Sequence, residues 1–70
     1  MNLVVGSKFR SKWFKGTVEV IAIKEEENIL EVKIYRDDSD YHHFEDWNLQ
    51  HTRWGFESGD YFPSERKWLV

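Results

Sequence analysis

The side chains best suited to metal or acid–base chemistry lie together near the middle of the chain. His42 and His43 are adjacent, and His51 follows a few residues later. Acidic residues surround the pair, at Asp37, Asp38, Asp40 and Glu45. Neighbouring side chains of a strand point to opposite faces, so two adjacent histidines cannot reach one ion, and the acidic spacing lacks the glycine and bidentate glutamate of a calcium loop. We therefore predict structural or exposed histidines and no bound metal.

The chain also lacks the residue patterns of nucleophilic and phosphate-binding sites. None of its serines lies in the strained turn of a nucleophile elbow, and its four glycines are scattered rather than grouped into a phosphate-binding loop. It has no cysteine, and a chain of 70 residues has little room for a pocket that excludes water. We predict that the protein is not an enzyme and needs no cofactor.

A row of cations interleaved with aromatic rings points to a different function. Lys8, Arg10 and Lys12 alternate along the chain, and Trp13 follows them directly. Cations on one strand face can follow a phosphate backbone while a ring stacks on a base. Two alternatives remain open, because lysines protect edge strands from aggregation and the acidic tracts can balance the row within the fold. Single-stranded RNA or DNA binding through these four residues is our alternative function, since the net charge of −3 argues against nonspecific duplex binding.

The strongest compositional signal is the surplus of aromatic residues, with four Trp, three Tyr and five Phe. A domain this short buries only about 60% of the surface of its unfolded chain. Some of the rings are therefore expected at the surface, where they can contact a partner protein or a second copy of the chain. The predicted partner-binding residues are Trp47, Trp54, Tyr61 and Trp68. Alternatively, a helix carrying Leu49 and Phe56 plugs one end of a barrel, and part of this set belongs to the core.

The elements that position these residues start with a hairpin. Residues 17–23 and 29–35 alternate apolar and polar side chains and are rich in β-branched residues, which predicts two strands. The polar connector 24–28 ends at Asn28, which tolerates a left-handed backbone. Before the hairpin we predict one strand bounded by Gly6 and Gly16, with Phe9 and Trp13 on one face, and after it a turn over 36–40 and a short strand over 41–44.

Helical spacing begins near Trp47 and predicts a short helix over about 47–58. Asp46 or Asn48 can cap its start, and Gly59 can end it. Gly55 in its interior favours an irregular loop or a further strand as the competing interpretation. Pro63 marks a break, after which residues 67–70 are predicted to form a closing strand.

These elements predict one domain over 1–70, mainly β, forming a small SH3-like or strongly curved barrel of four to five antiparallel strands with one short helix. The motifs Val5-Gly6-x-x-Phe9, Gly16-x-Val18-x-Val20-Ile21-x-Ile23 and Val32-x-Ile34-Tyr35 resemble the opening of SH3-like small barrels of the Tudor and KOW kind. The resemblance covers the first half of the chain. It implies a module that binds peptides, modified lysines, RNA, DNA or partner proteins.

Composition also indicates where such a module would work. No apolar stretch approaches the roughly 20 residues that a membrane span requires, and the lack of cysteine suits a reducing compartment. We expect a cytoplasmic, noncatalytic binding or accessory module without membrane contact. Its partner is predicted to be an unidentified protein or a second copy of the chain.

Overall fold

The computed structural model describes residues 3–64, which form one antiparallel sheet of five strands and one helix. The elements are β1 (Lys8–Ser11), β2 (Phe14–Lys24), β3 (Ile29–Arg36), β4 (His42–Asn48), α1 (Leu49–Ser58) and β5 (Tyr61–Pro63). The strand order across the sheet is β4-β3-β2-β1-β5. The predicted class, mainly β with four to five antiparallel strands and one short helix, is confirmed. Within the described residues β4 and β5 are edges that do not pair with each other, so the predicted barrel is not closed.

The central hairpin forms as its alternating pattern predicts. Val18 and Val20 on β2 and Val32 and Ile34 on β3 are buried together. The connector contains a single 3₁₀ turn at Glu25–Glu27. Asn28 ends that turn in the left-handed region, with φ 58° and ψ 40°. Asparagine tolerates this conformation, and the structure confirms the turn that Asn28 predicts.

A bulge in β2 decides which of its later residues enter the core. The register with β3 shifts between Val20 and Ala22, so that Ala22 pairs with Glu31 and Ile23 pairs with Leu30. The extra residue reverses the alternation, and Ile23 rather than Ala22 packs against the buried cluster. Bulges also increase local twist, which helps this short sheet to curl.

The first predicted strand is wrong in one respect, because the chain turns inside it. β1 ends at Ser11, residues 12 and 13 form a turn, and β2 begins at Phe14. The Ser11 hydroxyl accepts a hydrogen bond from the Trp13 amide at 2.9 Å and so stabilises the turn without glycine or proline. Phe9 and Trp13 consequently do not share a face, since Phe9 is buried and Trp13 is exposed.

Two further boundaries differ from their predictions. The fourth strand is longer than the predicted 41–44, because β4 runs on to Asn48. The helix begins at Leu49 rather than near 47, with Asn48 as its cap: the side chain of Asn48 accepts from the His51 amide at 2.8 Å. Gly59 ends the helix at φ 88°, as predicted. The predicted closing strand 67–70, which includes Trp68, lies outside the described residues.

The two edge strands meet through their side chains at one end of the sheet. Trp47 on β4 and Tyr61 on β5 stack with ring centroids 5.6 Å apart and an angle of 29° between planes. Phe9 lies against both, 6.0 Å from Trp47 and 5.5 Å from Tyr61, and also contacts Phe56 of α1 at 4.9 Å. Because the stacked rings come from opposite edges, this contact requires the sheet to curl around Phe9.

Gly55 lets the helix approach this ring cluster. It is buried in the interior of α1, where glycine is about 1 kcal/mol less favourable than alanine. A Cβ atom at this position would overlap the ring of Tyr61. Gly55 favours a loop over a helix in the sequence, but the packing of the helix on Tyr61 requires it.

We predict that Gly55→Ala destabilises the fold by about 1–3 kcal/mol, the usual cost of overpacking, despite the better helix propensity of alanine. Urea unfolding followed by circular dichroism measures this change. Gln50→Ala, at an exposed position of the same helix, is the control and should change stability by less than about 0.5 kcal/mol. A Gly55→Ala variant as stable as the wild type would contradict the proposed packing of the helix on Tyr61.

Candidate binding surfaces

The aromatic residues divide into a core set and an exposed set. Phe9 is fully buried, and Phe14, Trp47, Phe56 and Tyr61 pack against the core around it. Among residues 3–64 five rings are exposed, with the fractions 67% for Trp13, 65% for Phe44, 62% for Tyr41, 53% for Trp54 and 39% for Phe62. The apolar surface available for contact is therefore spread over the β1–β2 turn, β4, the helix and β5.

The predicted partner-binding residues occupy different environments. Trp47 and Tyr61 stack on each other and are partly buried against the core. Trp54 lies on the exposed side of α1, with its ring 5.3 Å from that of His51. Trp68 lies outside the described residues. The structure thus joins Trp47 to Tyr61 and leaves Trp54 as the exposed member of the set.

The predicted cation row is engaged by acidic residues of the same chain. Both terminal nitrogens of Arg10 donate to the carboxylate of Asp37, at 3.1 and 2.6 Å, and the same hydrogen bonds lower the pKa of Asp37. Lys12 pairs with Asp60 at 2.9 Å, and this pairing lowers the pKa of Asp60. The arrangement favours charge balance within the fold over a row of cations open to phosphate.

Lys8 and Trp13 keep features that suit a nucleic-acid contact. Lys8 is exposed and lines an open groove of about 450 Å³ together with Thr17, Tyr35 and Ser64. Trp13 is exposed in its turn, with the Lys12 ammonium 5.2 Å from the centre of the ring. A cation beside an exposed ring can accompany a stacked base. Lys8 and Trp13 are therefore the part of the predicted set that the structure leaves accessible.

A second groove, of about 220 Å³, opens on the sheet face that carries the core. Its lining residues are Phe14, Ile34, Arg36, His43, Glu45 and Trp47. Ile34 and Arg36 lie at the end of β3, whereas the helix is attached at the start of that strand, where the Leu49 amide donates to the Asn28 carbonyl at 3.0 Å. The helix and the groove thus occupy opposite ends of the same face.

Glu45 organises the wall of this groove. Its carboxylate accepts from the indole nitrogen of Trp47 at 2.8 Å, and its other oxygen lies 2.7 Å from Nε2 of His43. These hydrogen bonds, Trp47 first, lower the pKa of Glu45. An ionised Glu45 accepts from Nε2 of His43, and Nδ1 of that ring is buried without a partner in the described residues.

The hydrogen-bonded group of His43, Glu45 and Trp47, the Glu45 trio, was not among the features predicted from the sequence. The sequence predicts a structural or exposed His43 and a partner-binding Trp47, without a connection through Glu45. The available signal was their spacing, because residues at every second position of a strand share one face. Whether that face is the core face depends on the register of β4 with β3, which places His43 opposite Ile34 and Trp47 opposite Leu30.

The opposite face of β3 and β4 presents a second group of rings. The ammonium of Lys33 lies 5.0 Å from the ring of Tyr35 and 5.6 Å from that of Phe44. His42 lies between the same rings, 5.9 Å from Tyr35 and 6.4 Å from Phe44. The Tyr35 hydroxyl donates to Glu19 at 2.9 Å. His42 and His43 therefore face opposite sides of the sheet, as strand alternation predicts.

Comparison of the chain with protein families, with curated proteins and with solved structures finds no match. In residues 3–64 no three His, Cys, Asp or Glu side chains are grouped so that they could hold a metal ion. The single described helix, of ten residues, is too short to cross a membrane. The surfaces described above are therefore the basis for assigning a function.

We predict that Glu45→Gln lowers stability at pH 7 and that the difference from wild type disappears in acid. The folded-state pKa of Glu45 lies below its ordinary value of 4.5, so its contribution is complete above pH 4.5 and is lost as the pH falls through the lower folded value. Urea unfolding of both proteins between pH 7 and pH 3 measures the difference. The control is Glu57→Gln, on the exposed side of α1. A stability difference between wild type and Glu45→Gln that persists unchanged at pH 3 would contradict the assigned hydrogen bonds.

Proposed function

We propose that this protein is a noncatalytic binding module that docks a partner protein through the exposed face of α1, with Trp54 as its main contact. The observation that carries the proposal is the exposure of that indole on a helix that the fold holds in place. Tryptophan is the residue type most enriched among the energetically dominant contacts of protein interfaces. The resemblance of the first half of the chain to SH3-like binding modules supports the same class of function, and the absence of cysteine supports a cytoplasmic location.

Several hydrogen bonds fix the helix before any partner arrives. Asn28 accepts from the amides of Leu49 and Gln50, at 3.0 and 2.9 Å, and so ties the first turn to the central hairpin. Arg53 donates to both oxygens of Glu25 at 3.4 and 2.8 Å, and this lowers the pKa of Glu25. A ring held on a fixed helix loses little conformational freedom on binding, which favours affinity.

Trp47 and Tyr61 have a supporting role in this proposal. They stack beneath the helix rather than beside Trp54, and they position α1 through Phe9 and Phe56. Replacing either ring would therefore change the docking surface by disturbing the fold. Trp54 can be changed without disturbing the core, because it does not belong to the buried cluster.

The noncatalytic part of the proposal is supported by the 220 Å³ groove, because of the two described grooves it is the one lined by a histidine and a carboxylate. His43 and Glu45 are an acid–base pair, but the other described lining residues are two aromatic rings, an isoleucine and an arginine, with no hydroxyl or thiol nucleophile among them. Glu45 is already committed to two donors, His43 and Trp47. These hydrogen bonds give Glu45 a structural role within β4.

Nucleic-acid binding through Lys8, Arg10, Lys12 and Trp13 stays the alternative function. The exposed Trp13 with the Lys12 ammonium beside it favours this function. The engagement of Arg10 by Asp37 and of Lys12 by Asp60 weighs against it, because phosphate would have to displace both carboxylates. We therefore rank a protein partner first.

We predict that Trp54→Ala retains the wild-type fold and weakens partner binding by at least about tenfold, the usual effect of truncating a central interface tryptophan. The partner is first captured from lysate on immobilised protein and identified, and its affinity for wild type and variant is then measured with both components purified. Trp13→Ala, which removes an exposed indole from a different surface, is the matched control and should bind as the wild type does.

Three outcomes would contradict the proposal. A Trp54→Ala protein that unfolds would place Trp54 among the structural residues. Equal loss of binding in both variants would indicate contact through any exposed indole rather than through the helix. Salt-sensitive binding of single-stranded oligonucleotides that depends on Trp13 and not on Trp54 would establish the alternative function instead.

A further inference from the structure

Within residues 3–64, β4 forms a long edge of the sheet that no other strand covers. Hydrogen bonds from Arg36 to Tyr41 and from Leu49 to Asn28 set the pairing of β3 with β4, so residues 43, 45 and 47 direct their peptide groups toward β3. The peptide groups of His42, Phe44 and Asp46 consequently point away from the sheet. No other strand of residues 3–64 pairs with this edge.

β5, at the opposite edge of the sheet, has features that prevent strand pairing. β5 has three residues and ends at Pro63, which cannot donate a backbone hydrogen bond. β4 has seven residues and contains neither proline nor lysine. An edge of this length, with the exposed ring of Phe44 at its centre, is a template for another strand.

The sequence along this edge is complementary to itself. From 41 to 47 it reads Tyr-His-His-Phe-Glu-Asp-Trp, with an aromatic residue at each end, an aromatic residue in the middle, two histidines before it and two acids after it. We propose that β4 pairs antiparallel with β4 of a second copy of the chain, with the twofold axis at Phe44. The protein would then be a homodimer with one continuous sheet across the axis.

In this register the pairs across the interface match rings with rings and histidines with acids. Phe44 faces Phe44 of the second copy, and His42 faces Asp46 of the second copy on the same side of the sheet. On the core side, His43 faces Glu45 of the second copy. The imidazole N–H of His42 can donate to the carboxylate of Asp46 in the second copy, whereas His43 keeps its hydrogen bond to Glu45 of its own chain. The aromatic pair at the axis buries two exposed rings.

The backbone supports the same register. With the axis at Phe44, backbone hydrogen bonds join Phe44 to Phe44 of the second copy and His42 to Asp46 of the second copy. These are the residues whose peptide groups point outward from β4. Moving the axis by one residue places Glu45 against Glu45, which is repulsive, or His43 against His43, and separates the histidines from the acids. The repulsive contact of Glu45 with its own copy and the lost pairing of His42 with Asp46 therefore favour the register with the axis at Phe44.

The proposed interface is separate from the Trp54 surface. Trp54 lies on the exposed side of α1, and the interface is formed by the outer edge of β4. The dimer therefore neither requires the proposed function nor excludes it. Trp54→Ala should dimerise as the wild type does, so the failure of one proposal can be told from the failure of the other.

The experiment tests the proposed contact between Phe44 and Phe44 of the second copy. Phe44→Lys and Phe44→Glu each place like charges across the axis, so each variant alone should be monomeric, with a dimer dissociation constant at least about tenfold higher than that of wild type. An equimolar mixture of the two variants places an ammonium opposite a carboxylate at the axis and should form a heterodimer. Sedimentation velocity and native mass spectrometry distinguish the species, and circular dichroism confirms that each variant is folded.

Trp13→Lys is the matched control, because it changes an equally exposed ring outside the interface and should leave the dimer intact. Dimerisation of the wild type, its loss in both Phe44 variants and its return in their mixture would support the proposal. A wild-type chain that is monomeric at millimolar concentration would overturn it, as would a dimer that Phe44→Lys leaves unchanged. A mixture that stays monomeric would overturn the register.

Discussion

The structure depends on the contact between Trp47 and Tyr61. These rings come from the two edge strands of one open sheet, and their stack over Phe9 brings the edges together without hydrogen bonds between them. A sheet this small has few aliphatic residues to bury, and seven hydrophobic residues in the described chain form its buried core. Aromatic area supplies the remaining burial, and the curvature of the sheet follows from where those rings meet.

In the part of the chain that the structure describes, side chains rather than strand pairing bring the sheet edges together, and two surfaces stay exposed. The helix occupies the end of the core face where the edges meet, supported by Gly55 against Tyr61. The other end of that face keeps the groove around Glu45, and β4 keeps an edge that no other described strand pairs with. The exposed helix face carrying Trp54 and the β4 edge carrying Phe44 are thus two consequences of one arrangement.

Much of the fold could be predicted from local patterns, whereas the features that depend on distant contacts could not. The hairpin was predicted from alternation and from Asn28. The helix was predicted from helical spacing, from a cap at Asp46 or Asn48 and from Gly59, and all of these signals act within a few residues. The turn at residues 12 and 13 was missed because a Ser11 hydroxyl replaces the usual turn residues. The open sheet and the Glu45 trio depend on tertiary packing and on the β3–β4 register, which no short window of sequence contains.

A double-mutant cycle between Trp47 and Tyr61 tests the central claim most directly. The free energy of unfolding is measured for the wild type, Trp47→Leu, Tyr61→Leu and the double variant, and the cycle isolates the interaction between the two rings. If the stack joins the sheet edges, the coupling should be favourable by about 1 kcal/mol. Effects that add to within about 0.3 kcal/mol would show that the two rings stabilise the fold independently and would contradict the account.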